Sequence, residues 1–149
     1  MRKMLFVVVL VLLTQFAMAE WEVVESEDLM AGTTTAFLFN EAAVSQGTLM
    51  EPAIAVRKDG EGYESFIHWG GYSLDSDSRN ISVKFDDKDP ETFRVSLSSD
   101  GEAVFMTEGF LEELMDSDEV VVLIYSATGR KMVAMWNVSG LRDKISLIK

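Results

Sequence analysis

The chain contains a single histidine, which caps the chemistry open to it. His68 lies in Phe66-Ile67-His68-Trp69-Gly70-Gly71-Tyr72, an aromatic stretch that ends in a flexible turn. An imidazole beside aromatic rings could serve as a base or a ligand. One histidine cannot build a multi-histidine metal site, however, and no Ser or Asp motif stands with it as a triad would need. The stretch reads better as a strand that leaves His68 at a sheet edge. Core packing suits Trp69 best, yet amphipathic rings also favour interfaces, so His68, Trp69 and Tyr72 form the first candidate contact for a partner.

Acidic residues supply the second candidate. Asp75, Asp77 and Asp86 fall at positions 1, 3 and 12 of an EF-hand-like loop. Arg79 then occupies a ligand position and Asn80 replaces the required glycine, so the spacing does not describe a calcium site. Asp86, Asp87, Asp89 and Glu91 crowd more densely around Pro90. Carboxylates packed into one loop attract hard cations weakly, but this segment lies between two strand patterns and reads as a solvated turn able to meet a basic partner. Paired carboxylates for glycoside hydrolysis need a set separation that a sequence cannot supply. A Gly-rich phosphate loop and a Gly-x-Ser-x-Gly elbow are both missing. With no cysteine, the chain has no thiolate ligand, disulfide or thiol nucleophile. The expectation is a protein without catalytic residues, cofactor or metal.

The elements that position these groups are written in period two. Ile81, Val83 and Phe85 alternate with Ser82 and Lys84, and Phe93, Val95 and Leu97 alternate with Arg94, Ser96 and Ser98. Met132, Ala134, Trp136 and Val138 form another such series. This alternation puts one set of side chains on a buried face, the strand signature. Asp59-Gly60 separates residues 53–58 from 63–69, Asp100-Gly101 separates 93–98 from 102–106, and Thr128-Gly129 separates 120–126 from 131–138. Such dipeptides supply the positive backbone angles of tight hairpin turns. With further strands at 21–24 and 33–39, roughly eight strands predict a mainly β, antiparallel β-sandwich or partly open barrel. One segment departs from this rule. Phe110, Leu111, Leu114 and Met115 recur at helical spacing, predicting one short helix over residues 108–115, capped by Thr107. A second helical turn is expected near residues 141–148.

The first 19 residues read as an export signal: basic Met1-Arg2-Lys3, an apolar run over residues 4–13, then Ala17-Met18-Ala19 with cleavage between Ala19 and Glu20. Thr14 and Gln15 interrupt the run, which falls short of the ~20 apolar residues a membrane span wants. Cleavage would leave one β-rich domain over residues 20–149, periplasmic or secreted, with no stable membrane anchor. It would also remove Arg2 and Lys3 and no acid, taking the net charge from −12 to −14. So acidic a surface repels nucleic acid and anionic lipid and suits a basic protein partner. The sequons at Asn80 and Asn137 lie inside predicted strands, where glycans are not normally attached.

Residues 53–142 resemble the type VI secretion-associated, VasI-like family of periplasmic proteins and related prophage proteins. The matching features are Ala55-Val56-Arg57, the strand ending His68-Trp69-Gly70, Val83-Lys84-Phe85-Asp86, Ser99-Asp100-Gly101-Glu102-Ala103-Val104-Phe105, the segment over residues 111–114, and Trp136-Asn137-Val138-Ser139-Gly140-Leu141. The chain departs from that family's pattern at Lys58, where the family carries a cysteine, so no cysteine-dependent role carries over. The resemblance implies an exported accessory protein with a β-sandwich-like fold and no enzymatic activity. Three functions compete on these grounds: a non-catalytic accessory or binding module, an acidic inhibitor or immunity-type protein against a basic envelope enzyme, and a carboxylate-dependent hydrolase of envelope polysaccharide.

Overall fold

Each period-two run forms an antiparallel strand in the computed structural model, which describes residues 21–74 and 80–149. The leader, its Ala19–Glu20 junction, Asp75 and Asp77 lie outside the described residues. The strands are β1 (Glu22–Asp28), β2 (Thr33–Glu41), β3 (Val44–Gln46), β4 (Ala53–Asp59), β5 (Gly62–His68), β6 (Asn80–Phe85), β7 (Glu91–Leu97), β8 (Ala103–Met106), β9 (Glu119–Tyr125) and β10 (Lys131–Asn137). Two short helices follow the same chain order, α1 (Glu108–Met115) between β8 and β9 and α2 (Leu141–Lys144) after β10. A 3₁₀ turn, Ile145–Leu147, completes the tail.

The three hairpins predicted from Asp-Gly and Thr-Gly turns all form, as β4–β5, β7–β8 and β9–β10. The strands make one sheet in the order β1-β2-β4-β5-β8-β7-β6-β9-β10-β3. Its curl comes from β7. Residues Glu91, Thr92, Phe93 and Arg94 pair with β6, whereas Val95, Ser96 and Leu97 pair with β8. One strand thus belongs to two halves, and the sheet turns a corner along it. On the far side, the chain leaves β2 and crosses to β3 on the other half. Asn40 Nδ2 donates to the Asn137 carbonyl at 2.7 Å, and the Ala43 N–H donates to the Met135 carbonyl at 2.8 Å. A half-barrel results, and its inner face is the core.

That core is fed by the alternation. Leu38, Ile54, Val56, Ile67 and Val104 come from one half, and Val83, Val122, Ile124, Met132 and Trp136 from the other, all essentially inaccessible. Helix α1 covers an end: Phe110 and Leu114 are fully buried, and the Phe110 ring meets Phe85 at 5.7 Å and Phe93 at 5.8 Å. Thr107 stands at the N-cap position, but its side chain makes no capping hydrogen bond, contrary to the sequence expectation.

Two strand features exceed the sequence reading. β3 is only three residues long, too short to show a period. β1 continues past Val24 to Asp28, and all seven of its residues are exposed, so no burial alternation marks it.

Candidate functional site

His68 ends β5, between Ala53 of β4 and Ala103 of β8. It therefore closes an interior strand and does not lie at the sheet edge. Its Nδ1 accepts the Gly70 N–H at 3.3 Å, and its Nε2 is 3.5 Å from Glu102 Oε2. An accepting Nδ1 means that a neutral ring carries its proton on Nε2, the nitrogen facing the carboxylate.

The residue after it turns inward. Trp69 is wholly inaccessible and meets Trp136 edge-to-face, ring centres 6.0 Å apart, so it cannot be shown to a partner. Tyr72 is half-buried under Arg130, whose guanidinium lies 5.4 Å from the ring centre. Arg130 Nε also donates to the Gly47 carbonyl at 2.7 Å, tying the segment before Leu49 and Met50 to this corner. Both of those apolar residues are exposed.

Asp86 belongs to the scaffold. It adopts φ +48°, and its Oδ1 accepts the N–H groups of Asp118 at 3.0 Å and Glu119 at 2.9 Å. Its own N–H donates to the Glu119 carbonyl. The carboxylate thus pins the β6–β7 turn to the start of β9 through Oδ1. Lys88 adds an ion pair to Glu113 of α1 at 2.8 Å; that hydrogen bond first, then the Glu113 charge, holds the ammonium above its ordinary pKa. Asp87 and Asp89 are exposed. Replacing Asp86 by alanine should cost about 1–3 kcal/mol by removing the acceptor of two backbone N–H groups and putting alanine at a left-handed backbone angle, while asparagine, which keeps an acceptor and tolerates that angle, should cost less than about 1 kcal/mol. Urea unfolding of the two variants checks this.

The two predicted contacts do not converge. The acidic turn precedes Glu91, whereas His68 pairs with Ala103 near Ser98, beyond the other end of β7. Strand rise separates those ends by about 20 Å. Among the described residues, no three His, Asp or Glu side chains come together as a metal ion would require.

A groove of about 610 Å³ runs along β7 from Arg94 to Leu97 and ends at the Ser98–Gly101 turn. At that turn the polar groups bond to one another. Ser98 Oγ donates to Asp100 Oδ1 and accepts the Ala103 N–H, and Asp100 Oδ1 also accepts the Glu102 N–H. The Ser98 hydroxyl first, and then that backbone donor, hold the Asp100 carboxyl below its ordinary pKa. Among the described residues, Asp100 is the one carboxylate in the groove lining, where glycoside hydrolysis needs two that face each other.

The most exposed feature went unmarked in the sequence reading. β2 pairs with β4 only from Phe37 to Glu41, so Thr33 to Ala36 and their partners on β1 run beyond β4 as a two-stranded arm. At its tip, Asp28 Oδ1 accepts the N–H groups of Met30 and Ala31, and the Gly32 N–H donates to the Asp28 carbonyl at 2.7 Å. Those bonds present Leu29 at 83% and Met30 at 98% exposure. The base is anchored: Trp21 is buried and its indole N–H donates to the Val138 carbonyl at 3.2 Å. The signal available in the sequence was an apolar Leu-Met pair inside a turn, where polar residues are the rule.

Among the described residues, no helix is long and apolar enough to cross a membrane. No family model matches the chain, and no curated protein matches it in sequence. Among solved structures, it is similar to the crystal structure of invasion associated protein B from Bartonella henselae, with a TM-score of 0.56 over 87% of this chain and 92% of that one. At 11% identity, the two share a fold.

Proposed function

We propose that this chain is an exported, non-catalytic protein-binding module of the bacterial envelope. One observation carries the reading. The groups most able to do chemistry, His68, Ser98, Asp86 and Asp100, are occupied in the fold's own hydrogen bonds, while Leu29, Met30, Leu49 and Met50 are turned to solvent. Large apolar side chains exposed side by side, as in the Leu29-Met30 pair before β2 and the Leu49-Met50 pair near its far end, mark interaction surfaces more often than they serve folding. The fold neighbour is called an invasion associated protein, a description that names no reaction. The VasI-like resemblance adds the expectation that the partner belongs to a secretion system.

A photo-crosslinking residue at Met30, in the chain expressed with its leader, tests the reading. The expected result is one discrete adduct in the osmotic-shock fraction, absent when the crosslinking residue is placed at Asp59 instead. Recovery of the chain only from the cytoplasm, or no discrete adduct from any exposed position, would overturn it.

The acidity supports a second reading, inhibition of a basic envelope hydrolase. Steering by opposite charge speeds encounter and weakens with salt. Inhibition of a basic muramidase at ~20 mM salt, fading by at least about tenfold near ~500 mM, is the expected signature; no inhibition at low salt removes the idea.

A further inference from the structure

The arm has an open side. β1 is the first strand of the sheet, bonded to β2 alone, so among the described residues its outer backbone N–H and C=O groups have no strand partner. Edge strands of this kind template the addition of another strand unless something blocks it. Both faces of β1 are exposed, so a strand arriving there meets no steric wall from the described residues.

Charge selects the occupant. Residues 22–41 contain the acids Glu22, Glu25, Glu27, Asp28 and Glu41 and not one Lys, Arg or His. A second copy is a poor fit. Antiparallel pairing of β1 with itself about its middle residue sets Glu25 opposite Glu25 and Glu22 opposite Asp28, and like charges directly opposite destabilise a sheet. The same carboxylates stabilise a cationic strand. Val23 and Val24, each roughly half exposed, ask for apolar neighbours on the two faces.

We propose that the open edge of β1 takes up an extended segment of a protein partner, cationic where it faces Glu25, Glu27 and Asp28 and apolar where it faces Val23 and Val24. This rests on the protein-binding reading above and gives it a surface and a partner chemistry. The added strand continues the sheet outward, and its affinity comes from main-chain hydrogen bonds while the side-chain order sets the register.

The antiparallel complement of β1 can be written directly as Lys-Lys-Thr-Lys-Val-Val-Lys. The test adds this peptide at millimolar concentration to the leaderless chain and follows amide hydrogen exchange. A scrambled peptide of the same composition and the Glu25→Lys/Glu27→Lys variant serve as controls. The expected result is slowed exchange confined to β1 and β2, about tenfold weaker apparent affinity for the scrambled peptide, and a similar loss in the variant with its melting temperature unchanged. Equal protection by the scrambled peptide would reduce the effect to bulk charge and overturn the proposal. So would protection that falls elsewhere, or none at all, or sedimentation showing a dimer that Leu29→Ser/Met30→Ser dissolves. Each of these outcomes removes the β1 assignment alone, because the crosslinking test of the module reading does not depend on it.

Discussion

Replacing Trp136 with alanine is expected to cost about 3–5 kcal/mol and to lower the melting temperature by more than about 10 °C. The reasons are local and long-range at once. The side chain is completely buried, so its removal gives up the transfer free energy of the largest residue and leaves a cavity that a packed interior refills poorly. It also sits where the two halves of the curled sheet meet. Trp136 belongs to β10, Trp69 follows β5, and their rings are edge-to-face with planes inclined by 80°. That arrangement adds to the area term. Among the described residues neither indole N–H has a hydrogen-bond acceptor, so packing holds the pair. Trp136→Phe should therefore cost only about 1–2 kcal/mol, a change of volume without a lost bond. Met30→Ala, at the arm's tip, should stay within about 0.5 kcal/mol of the parent. Urea unfolding of the three variants decides the matter, and a Trp136→Ala cost below about 1 kcal/mol would mean that the two halves do not press together there.

Much of this architecture was legible because burial leaves a periodic trace. Ile67 inside, His68 outside and Trp69 inside follow from alternation alone, which is why core packing was the better expectation for Trp69. The Asp-Gly turns identified hairpin partners, and helical spacing gave α1 its observed limits. What escaped was set by contacts distant in sequence. Asp86 bonds to residues 32 and 33 positions away, so an acidic loop concealed a structural carboxylate. The change of partners along β7 leaves no mark on its own alternation. β1 escaped for the opposite reason: exposed on both faces, it has no buried side to betray it, and its Leu29-Met30 tip breaks the turn rule without a local structural gain.

The second large effect concerns a glycine. Gly70 has φ +62°, and a Cβ built there would lie 2.4 Å from the Met50 carbonyl oxygen and 2.9 Å from its carbon. Both obstacles are backbone, and the Met50 N–H is itself bonded to the Gly70 carbonyl at 3.1 Å, so neither chain can step aside without losing that bond. Gly70→Ala is expected to cost about 3–5 kcal/mol, the left-handed backbone contributing about 1–2 and the forced separation the remainder. Gly129 isolates the two contributions. It has φ +81° but open space where its Cβ would go, so Gly129→Ala should cost only about 1–2 kcal/mol. The difference between these variants measures the close approach that seats the loop bearing Leu49 and Met50 beside Tyr72. Because that loop leads into β4 through buried Pro52, its displacement should also speed amide exchange at Ala53 and Ile54. Equal costs at the two glycines would show that the loop's seat on the turn contributes nothing, and that Leu49 and Met50 are presented by the loop alone.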